Sequence, residues 1–114
     1  MRTVALSLDF DAILFWYDEL GQGQIDEKTL GISEELREEL ERFYFWFSEL
    51  YLVEGVFSGS DLDNRLFDDR GLKLWELLRA ELTDRYRVIY WSREFSDYFD
   101  TPEEFRRVRA EASP

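Results

Sequence analysis

The segment from Ser33 to Glu54 most constrains what this chain can fold into. It contains no glycine or proline, and its apolar residues recur with a helical period. Ser33 suits the N-cap position because its hydroxyl can accept hydrogen bonds from first-turn amides, and Gly55 suits the position that ends a helix. An aromatic run such as Phe43–Phe47 also favours a strand, but the unbroken period favours a helix. We therefore predict one long helix over Ser33–Glu54.

This helix has more apolar surface than one buried face can hold. In its second half, Phe45 projects with Leu52 and Trp46 with Val53, on the side that is charged in the first half. Either the chain covers these two rows itself or another protein binds them, since large exposed apolar patches mark interaction sites. The residues available as an internal cover are Phe95, Tyr98 and Phe99. Both alternatives stay open at this point.

The segments on either side of the long helix predict a small sheet. Thr3–Leu8 and Tyr86–Trp91 alternate in the way that strands do, and the first is expected to bury one face. Ala12–Tyr17 is apolar and fits either a third strand or an apolar loop over the core. Residues 18–32 are predicted to be largely loop, because Gly21–Gln24 has the composition of a turn. The sheet should therefore have two to three strands.

Two further helices complete the predicted fold. One begins at about Asp68, and Gly71 on its apolar stripe indicates the close approach of another element. Thr101–Glu104 forms a capping box with proline at the first helical position, so a short C-terminal helix follows. We predict a single α+β domain over residues 1–114, in which the two main helices pack on one face of the sheet.

Composition excludes several kinds of chemistry. The chain has no cysteine and no histidine, which excludes disulfides, thiolate nucleophiles, Cys/His zinc sites and imidazole catalysis. Its net charge is −12, which repels nucleic acids and anionic membranes and attracts basic proteins. No apolar run has the length of a signal-peptide core or a membrane span. We predict a cytosolic, non-enzymatic protein without a cofactor, bound to neither nucleic acid nor membrane.

Asp9 and Asp11 are the one pair of residues that suggests catalysis. They follow the first predicted strand in the segment LSLDFDAIL, which resembles the opening of haloacid-dehalogenase-type phosphatases. Ile13 stands where that family has threonine, and the chain is too short for the family's doubly wound fold. A role in turn formation is therefore the favoured interpretation of both aspartates. They remain candidate metal ligands in a third hypothesis, a metal-dependent phosphoryl-transfer enzyme.

The first half of the long helix is strongly acidic. Its glutamates fit either a solvated helix face or a docking face for a basic partner. Combined with the two apolar rows, they define a candidate partner-binding set: Glu35, Glu38, Glu39, Phe45, Trp46, Glu49, Leu52 and Val53. Tryptophan and phenylalanine are residue types that anchor protein interfaces. The same apolar rows also fit a homodimeric structural or regulatory module, which is the alternative function.

Two segments resemble a group of small acidic bacterial proteins of unknown function. They are LGISEELREELERF and DDRGLKLWELLRAELTDRYRVIYW, which share an LGIS helix start and a G-x-x-L-x-x-x-L-x-x-E-L helix leading into a strand. These signatures are packing patterns and assign no functional residue. Small acidic single-domain proteins of this kind include toxin-neutralising immunity proteins. By analogy, the resemblance implies an immunity or inhibitor protein that binds a basic partner such as a nuclease toxin.

Overall fold

A computed structural model describes residues 1–8, 12–18, 21–52 and 61–112 of the chain. These residues form an α+β fold, which confirms the predicted class. The elements in chain order are β1 (Arg2–Leu6), β2 (Leu14–Asp18), β3 (Gly21–Gln24), α1 (Glu27–Leu30), α2 (Glu34–Leu52), α3 (Asp61–Leu82), β4 (Tyr86–Ser92), β5 (Asp97–Phe99) and α4 (Pro102–Ala112).

The strands form one mixed sheet in the order β3-β2-β1-β4-β5. The central strands β1 and β4 are parallel, with Val4 opposite Val88, and every other pair is antiparallel. Central parallel strands are commonly covered on both faces. Accordingly Ala5 and Ile89, which point away from Val4 and Val88, are also buried. The prediction that β1 buries only one face is therefore wrong.

The predicted count of two to three strands is too low. The segment Ala12–Tyr17 contains all of β2 except its last residue, Asp18, so the strand alternative for it is correct. The segment Gly21–Gln24, predicted to be a turn, is the edge strand β3 and pairs with β2 through Trp16 and Gly23. Both β3 and the three-residue β5 lie at sheet edges. Such short edge strands are joined through backbone hydrogen bonds and need no alternating apolar residues, so their sequences lack the usual strand signal.

Each of the helices contributes to a core on one face of the sheet. The long helices meet through aromatic side chains: Phe67 of α3 contacts Phe43 and Phe47 of α2, with ring centroids 5.0 and 5.6 Å away. The helical members of this core are Leu30, Leu36, Leu40, Phe43, Phe47, Phe67, Leu74, Trp75, Leu78, Leu82 and Phe105. The strands contribute Val4, Leu6, Leu14, Val88, Tyr90 and Phe99.

The start of α2 agrees with the prediction. Ser33 caps the helix: its hydroxyl accepts a hydrogen bond from the Leu36 amide at 3.2 Å. The Ser33 amide and hydroxyl each donate to the Glu81 carboxylate at 2.7 Å, so the end of α3 holds the start of α2. The described part of α2 ends at Leu52. The predicted last residues Val53 and Glu54, and Gly55 as the residue that ends the helix, lie outside the described residues.

The second main helix begins earlier than predicted, at Asp61 rather than at about Asp68. Its first turns contain Asp61, Asp63 and Asn64, and this composition also occurs in loops. Aspartate is favourable in the first turn of a helix because the helix dipole is positive there. Local composition therefore does not distinguish a loop from the start of α3.

Asp68 is a buried carboxylate that joins α3 to the turn between β4 and β5. Its side chain is fully buried. It accepts hydrogen bonds from the Tyr90 and Ser92 hydroxyls at 2.6 Å each, and from the Arg93 and Glu94 amides at 3.0 Å each. Burial raises the pKa of Tyr90, and the neighbouring Asp68 carboxylate raises it further. Four donors thus satisfy a charge that would be costly to bury alone.

Gly71 lies where α3 closely approaches β4, which confirms the close approach predicted from its position on the apolar stripe of the helix. A β-carbon at this position would lie 2.3 Å from the Tyr90 hydroxyl oxygen. One turn later, Trp75 stacks on Tyr90 with ring centroids 5.3 Å apart, and its indole N–H donates to the Val88 carbonyl at 2.9 Å. The absent side chain of Gly71 therefore lets α3 approach β4 closely enough for these contacts.

Candidate functional site

The outward side of α2 combines negative charge with one exposed aromatic ring. At 100° per residue, five exposed side chains fall in a sector of about 80°. We call them the outer stripe: Glu34, Glu38, Glu41, Phe45 and Glu49. Phe45 remains 63% exposed and is the apolar centre of this acidic surface. An exposed aromatic residue surrounded by charge has the composition of an interface anchor with a polar rim.

Phe45 and Trp46, the described members of the two predicted apolar rows, differ in their surroundings. Trp46 is half-buried: it stacks on Phe43 with ring centroids 5.9 Å apart, and the Arg70 guanidinium lies 4.2 Å from the centre of its indole. Phe45, by contrast, meets the edge of the neighbouring Tyr44 ring and stays largely open to solvent. The Leu52 side chain and Val53 lie outside the described residues. Of Phe45 and Trp46, Phe45 therefore has the more solvent-exposed side chain.

The C-terminal aromatic residues do not cover this surface. Phe95 and Phe99 pack on Phe105, with ring centroids 5.8 and 5.3 Å away. Tyr98 lies on the other face of the sheet, where its ring is 4.8 Å from Trp91 and 4.4 Å from Tyr17. Of the two alternatives left open by the sequence, internal cover by these residues does not apply to Phe45 and Trp46. Because β5 pairs beside β4, these aromatics are held at the sheet edge opposite β3.

Three of the six glutamates of α2 form ion pairs, and three form none within the described ranges. Arg42 pairs with both Glu38 and Glu39, and Arg37 pairs with Glu34 at 3.6 Å. These pairs are exposed, and such pairs each contribute about 0–1 kcal/mol. Within the described ranges, Glu35, Glu41 and Glu49 form no ion pair. The candidate residues Glu35, Glu38, Glu39 and Glu49 are all exposed, so α2 presents a net negative surface.

A groove of about 320 Å³ runs beside the outer stripe, between α2 and the β2–β3–α1 region. Its apolar part includes the buried side chains Ile13, Ile25 and Leu40. We call it the α1–α2 groove, and its lining residues are Ala12, Ile13, Gln24, Ile25, Glu27, Leu40, Glu41, Tyr44 and Phe45. The groove therefore places two aromatic rings and two carboxylates around an apolar floor.

Glu27 is the electrostatically perturbed group of this groove. Burial raises the pKa of its carboxyl, and the nearby Glu41 and Asp26 carboxylates raise it further, against the opposing effect of Arg37. A raised pKa means that the environment disfavours the negative charge. The described residues that line the α1–α2 groove include the carboxyl groups of Glu27 and Glu41 and no arginine or lysine.

Replacing Glu27 with glutamine is expected to raise the free energy of unfolding at neutral pH. Because the folded state binds the Glu27 proton more tightly than the unfolded state, ionisation of this group costs stability as pH rises through the raised pKa. The gain should therefore disappear once the solution is acidic enough to protonate the carboxyl in both states. Urea unfolding at about pH 7 and about pH 3 measures it.

The control for this experiment is Glu35→Gln, which removes an exposed glutamate of α2. We expect it to change the free energy of unfolding by less than about 0.5 kcal/mol, as surface substitutions usually do. A loss of stability in Glu27→Gln at neutral pH would contradict the assigned electrostatics of the groove.

Asp9 and Asp11 lie outside the described residues, so their proposed metal-ligating role stays a prediction. Within residues 1–8, 12–18, 21–52 and 61–112, no group of three or more acidic side chains is placed to hold a metal ion. In the same part of the chain, no helix is both long and apolar enough to span a bilayer.

Comparison with known families adds to this geometry. Residues 2–93 match the model of a family described as Serratia CdiI immunity protein-like. The chain belongs to this family. The suspected likeness to immunity proteins is thereby confirmed, and the match runs from β1 through β4, so it includes α2 and the α1–α2 groove. No curated protein matches the chain.

Two residues of the candidate site were not predicted from the sequence. Glu41 belongs to the acidic run but is absent from the predicted partner-binding set, although it lies four residues before Phe45 and hence on the same side of the helix. Glu27 lies in the segment predicted to be largely loop. Its position beside Glu41 depends on how α1 packs against α2, and no local pattern in the sequence reports that.

Proposed function

We propose that this chain is an immunity protein, which neutralises a toxin by binding it and catalyses no reaction. The observation that carries this proposal is the family match over residues 2–93. The composition is consistent with it, since a chain without cysteine or histidine lacks the commonest nucleophiles and acid–base groups. Binding alone is sufficient for neutralisation if the complex blocks the toxin's active site.

The partner surface that fits this chain is basic. The net charge of −12 attracts positive surfaces over long range and accelerates association with them. A nuclease toxin has such a surface, because it must bind the phosphates of its substrate. An acidic protein seated in that cleft excludes the nucleic acid by competing for the same cations.

The proposed binding face is the exposed side of α2. Six glutamates and two arginines lie on this helix, and the candidate residues Glu35, Glu38, Glu39 and Glu49 are all exposed. Phe45 supplies an apolar anchor among them, which is the arrangement found at interface hot spots. Trp46 would add the exposed part of its ring. Leu52 and Val53 stay in the candidate set because the helical period of the sequence predicts them in the same two rows.

The gene neighbourhood gives the first test, and a growth assay gives the second. The proposal expects a secreted toxin to be encoded directly upstream, and expression of that toxin should stop growth unless this chain is co-expressed. The triple variant Glu35→Lys, Glu38→Lys, Glu39→Lys is expected to lose protection and to bind the toxin about a hundredfold more weakly, or about 2.7 kcal/mol.

A matched control separates a specific face from net charge. The triple variant Asp84→Lys, Glu103→Lys, Glu111→Lys makes the same change in charge at exposed positions outside α2. It should retain protection and lose less than about tenfold in affinity, since rim charges act mainly on association rate. Equal losses in both triple variants would contradict the assigned face, and the absence of any toxin binding would contradict the function.

The homodimer alternative uses the same exposed ring. If Phe45 joined two copies of the chain, Phe45→Ser would convert a dimer to a monomer. Sedimentation equilibrium of the wild-type chain distinguishes the two functions, because the immunity proposal needs only the monomer. A strict monomer at high protein concentration rules the homodimeric module out.

A further inference from the structure

Two arginines of this chain show how its aromatic rings and carboxylates combine to hold a guanidinium. Arg2 lies 3.7 Å from the centre of the Trp16 ring and donates to Asp18 at 3.0 Å. Arg109 lies 4.7 Å from the centre of the Phe105 ring and binds Asp69 at 2.6 Å. It also donates to Glu94, which with Asp69 raises the pKa of Arg109. In both places an aromatic face and at least one carboxylate surround one guanidinium.

The α1–α2 groove presents the same groups with the guanidinium missing. Phe45 is 63% exposed, and no arginine of the described residues lies over its ring. Glu27 and Glu41 form no ion pair within the described ranges, since nearby Arg37 pairs with Glu34 instead. At Trp16 and Phe105, an arginine of the chain lies between an aromatic ring and a carboxylate. The described part of the chain supplies no such arginine to Phe45, Glu27 and Glu41.

We propose that the α1–α2 groove binds an arginine side chain of a basic protein partner. This inference rests on the proposed function for the claim that the partner is the toxin. The guanidinium would stack on Phe45 and donate to the carboxylates of Glu27 and Glu41. Its aliphatic stem would lie along the apolar floor at Ile25 and Leu40.

Arginine fits this groove better than lysine does. The guanidinium is planar, stacks on aromatic faces and donates to a carboxylate in a fixed fork, whereas an ammonium is a compact and strongly hydrated charge. A groove of about 320 Å³ accommodates a long side chain together with its planar head. Binding a cation would also relieve the repulsion between Glu27 and Glu41 that the unoccupied groove contains.

An NMR titration of the full chain tests this site without any toxin. The probe is acetyl-arginine amide, and its matched control is acetyl-citrulline amide, which has nearly the same shape and no charge. We expect saturable shifts at Glu27, Glu41 and the Phe45 ring with arginine, and about fivefold weaker binding of citrulline. Equal responses to both probes, or shifts spread evenly over all exposed glutamates, would overturn the proposal.

Variants assign the response to particular groups. Glu41→Gln and Phe45→Ala change exposed side chains, and each should weaken arginine binding about fivefold. The control Glu111→Gln removes one exposed negative charge on α4 and should leave the affinity unchanged. If Glu111→Gln weakens binding as much as Glu41→Gln, the probe senses net charge only and the site is wrong.

A toxin-binding arm separates this proposal from the proposed function. If the toxin binds and Glu41→Gln and Phe45→Ala weaken both toxin and arginine binding, the two proposals are supported together. If the toxin binds with unchanged affinity to both variants and arginine does not bind, the groove is wrong while the function stands. If arginine binds in the groove and the toxin does not bind the chain, the function is wrong while the site stands.

Discussion

The Asp68→Ala variant is expected to lose about 3–5 kcal/mol of unfolding free energy, because each buried donor left without an acceptor costs about 1–3 kcal/mol. The substitution leaves two buried hydroxyls and two partly buried amides near the β4–β5 turn without their acceptor. Domains of this size have about 5–15 kcal/mol of total stability, so the loss should leave the variant marginally folded. Urea unfolding followed by far-UV circular dichroism measures it.

Two further substitutions test whether the loss of stability comes from the acceptor oxygens of Asp68. Asp68→Asn keeps the shape but turns an amide donor toward groups that are already donors, so it should lose at least about 2 kcal/mol. Asp84→Ala removes an exposed aspartate and should cost less than about 0.5 kcal/mol. If Asp68→Ala proved as mild as Asp84→Ala, the carboxylate would not hold the β4–β5 turn to α3.

The Gly71→Ala variant should lose nearly as much stability as the Asp68 variants. Alanine is the better helix former, by about 1 kcal/mol in an exposed helix, so propensity alone would stabilise α3. The added β-carbon would instead lie 2.3 Å from the Tyr90 hydroxyl oxygen and 2.7 Å from the ring carbon that bears it. Tyr90 cannot move aside, because it is buried, hydrogen-bonded to Asp68 and stacked on Trp75. We expect a net loss of about 2 kcal/mol or more, which urea unfolding measures, because overpacking a core usually costs about 1–3 kcal/mol.

A double-mutant cycle with Tyr90→Phe tests the cause of that loss. Removing the hydroxyl removes the closest contact, so Gly71→Ala should cost less in the Tyr90→Phe background than in the wild type. The remaining cost reflects the ring carbons, two of which lie within 2.8 Å of the added β-carbon. An equal cost in both backgrounds would show that the steric contact with the hydroxyl is not responsible.

The helices could be predicted from the sequence where the signals are local. The Ser33 cap and the Thr101 cap of the C-terminal helix depend on hydrogen bonds within a single turn, and both form as predicted. Gly71 could be recognised because a glycine on an apolar helical stripe is costly without a packing reason. In each case the cause lies within a few residues of the effect.

The sheet and the groove depend on contacts that the sequence does not express locally. Gly21–Gln24 becomes strand β3 only because β2 offers it a backbone edge. Asp68 looks like any acidic residue near a helix start, although its four partners lie 22 to 26 residues further along the chain. Glu27 approaches Glu41 only after α1 packs against α2. Long-range packing therefore determines the features that local patterns do not predict.

Phe45 and Trp46 of α2 have different surroundings. Arg70 of α3 partly covers Trp46, while Phe45 stays exposed beside an acidic groove. A single ring amid carboxylates suits selective recognition of a basic partner, because the charges steer the encounter and the ring anchors it. The acidic run and the exposed ring of α2 thus serve the same proposed function.

Calorimetric titration of this chain with a toxin from its own gene neighbourhood, which the proposed function requires, tests the central claim most directly. We expect one-to-one binding that weakens as salt is raised, since the proposed interface depends on opposite charges. The variant with lysine at positions 35, 38 and 39 should bind about a hundredfold more weakly than wild type. Absence of binding by the wild-type chain, or binding that neither salt nor this variant changes, would contradict a toxin-neutralising role for the acidic face of α2.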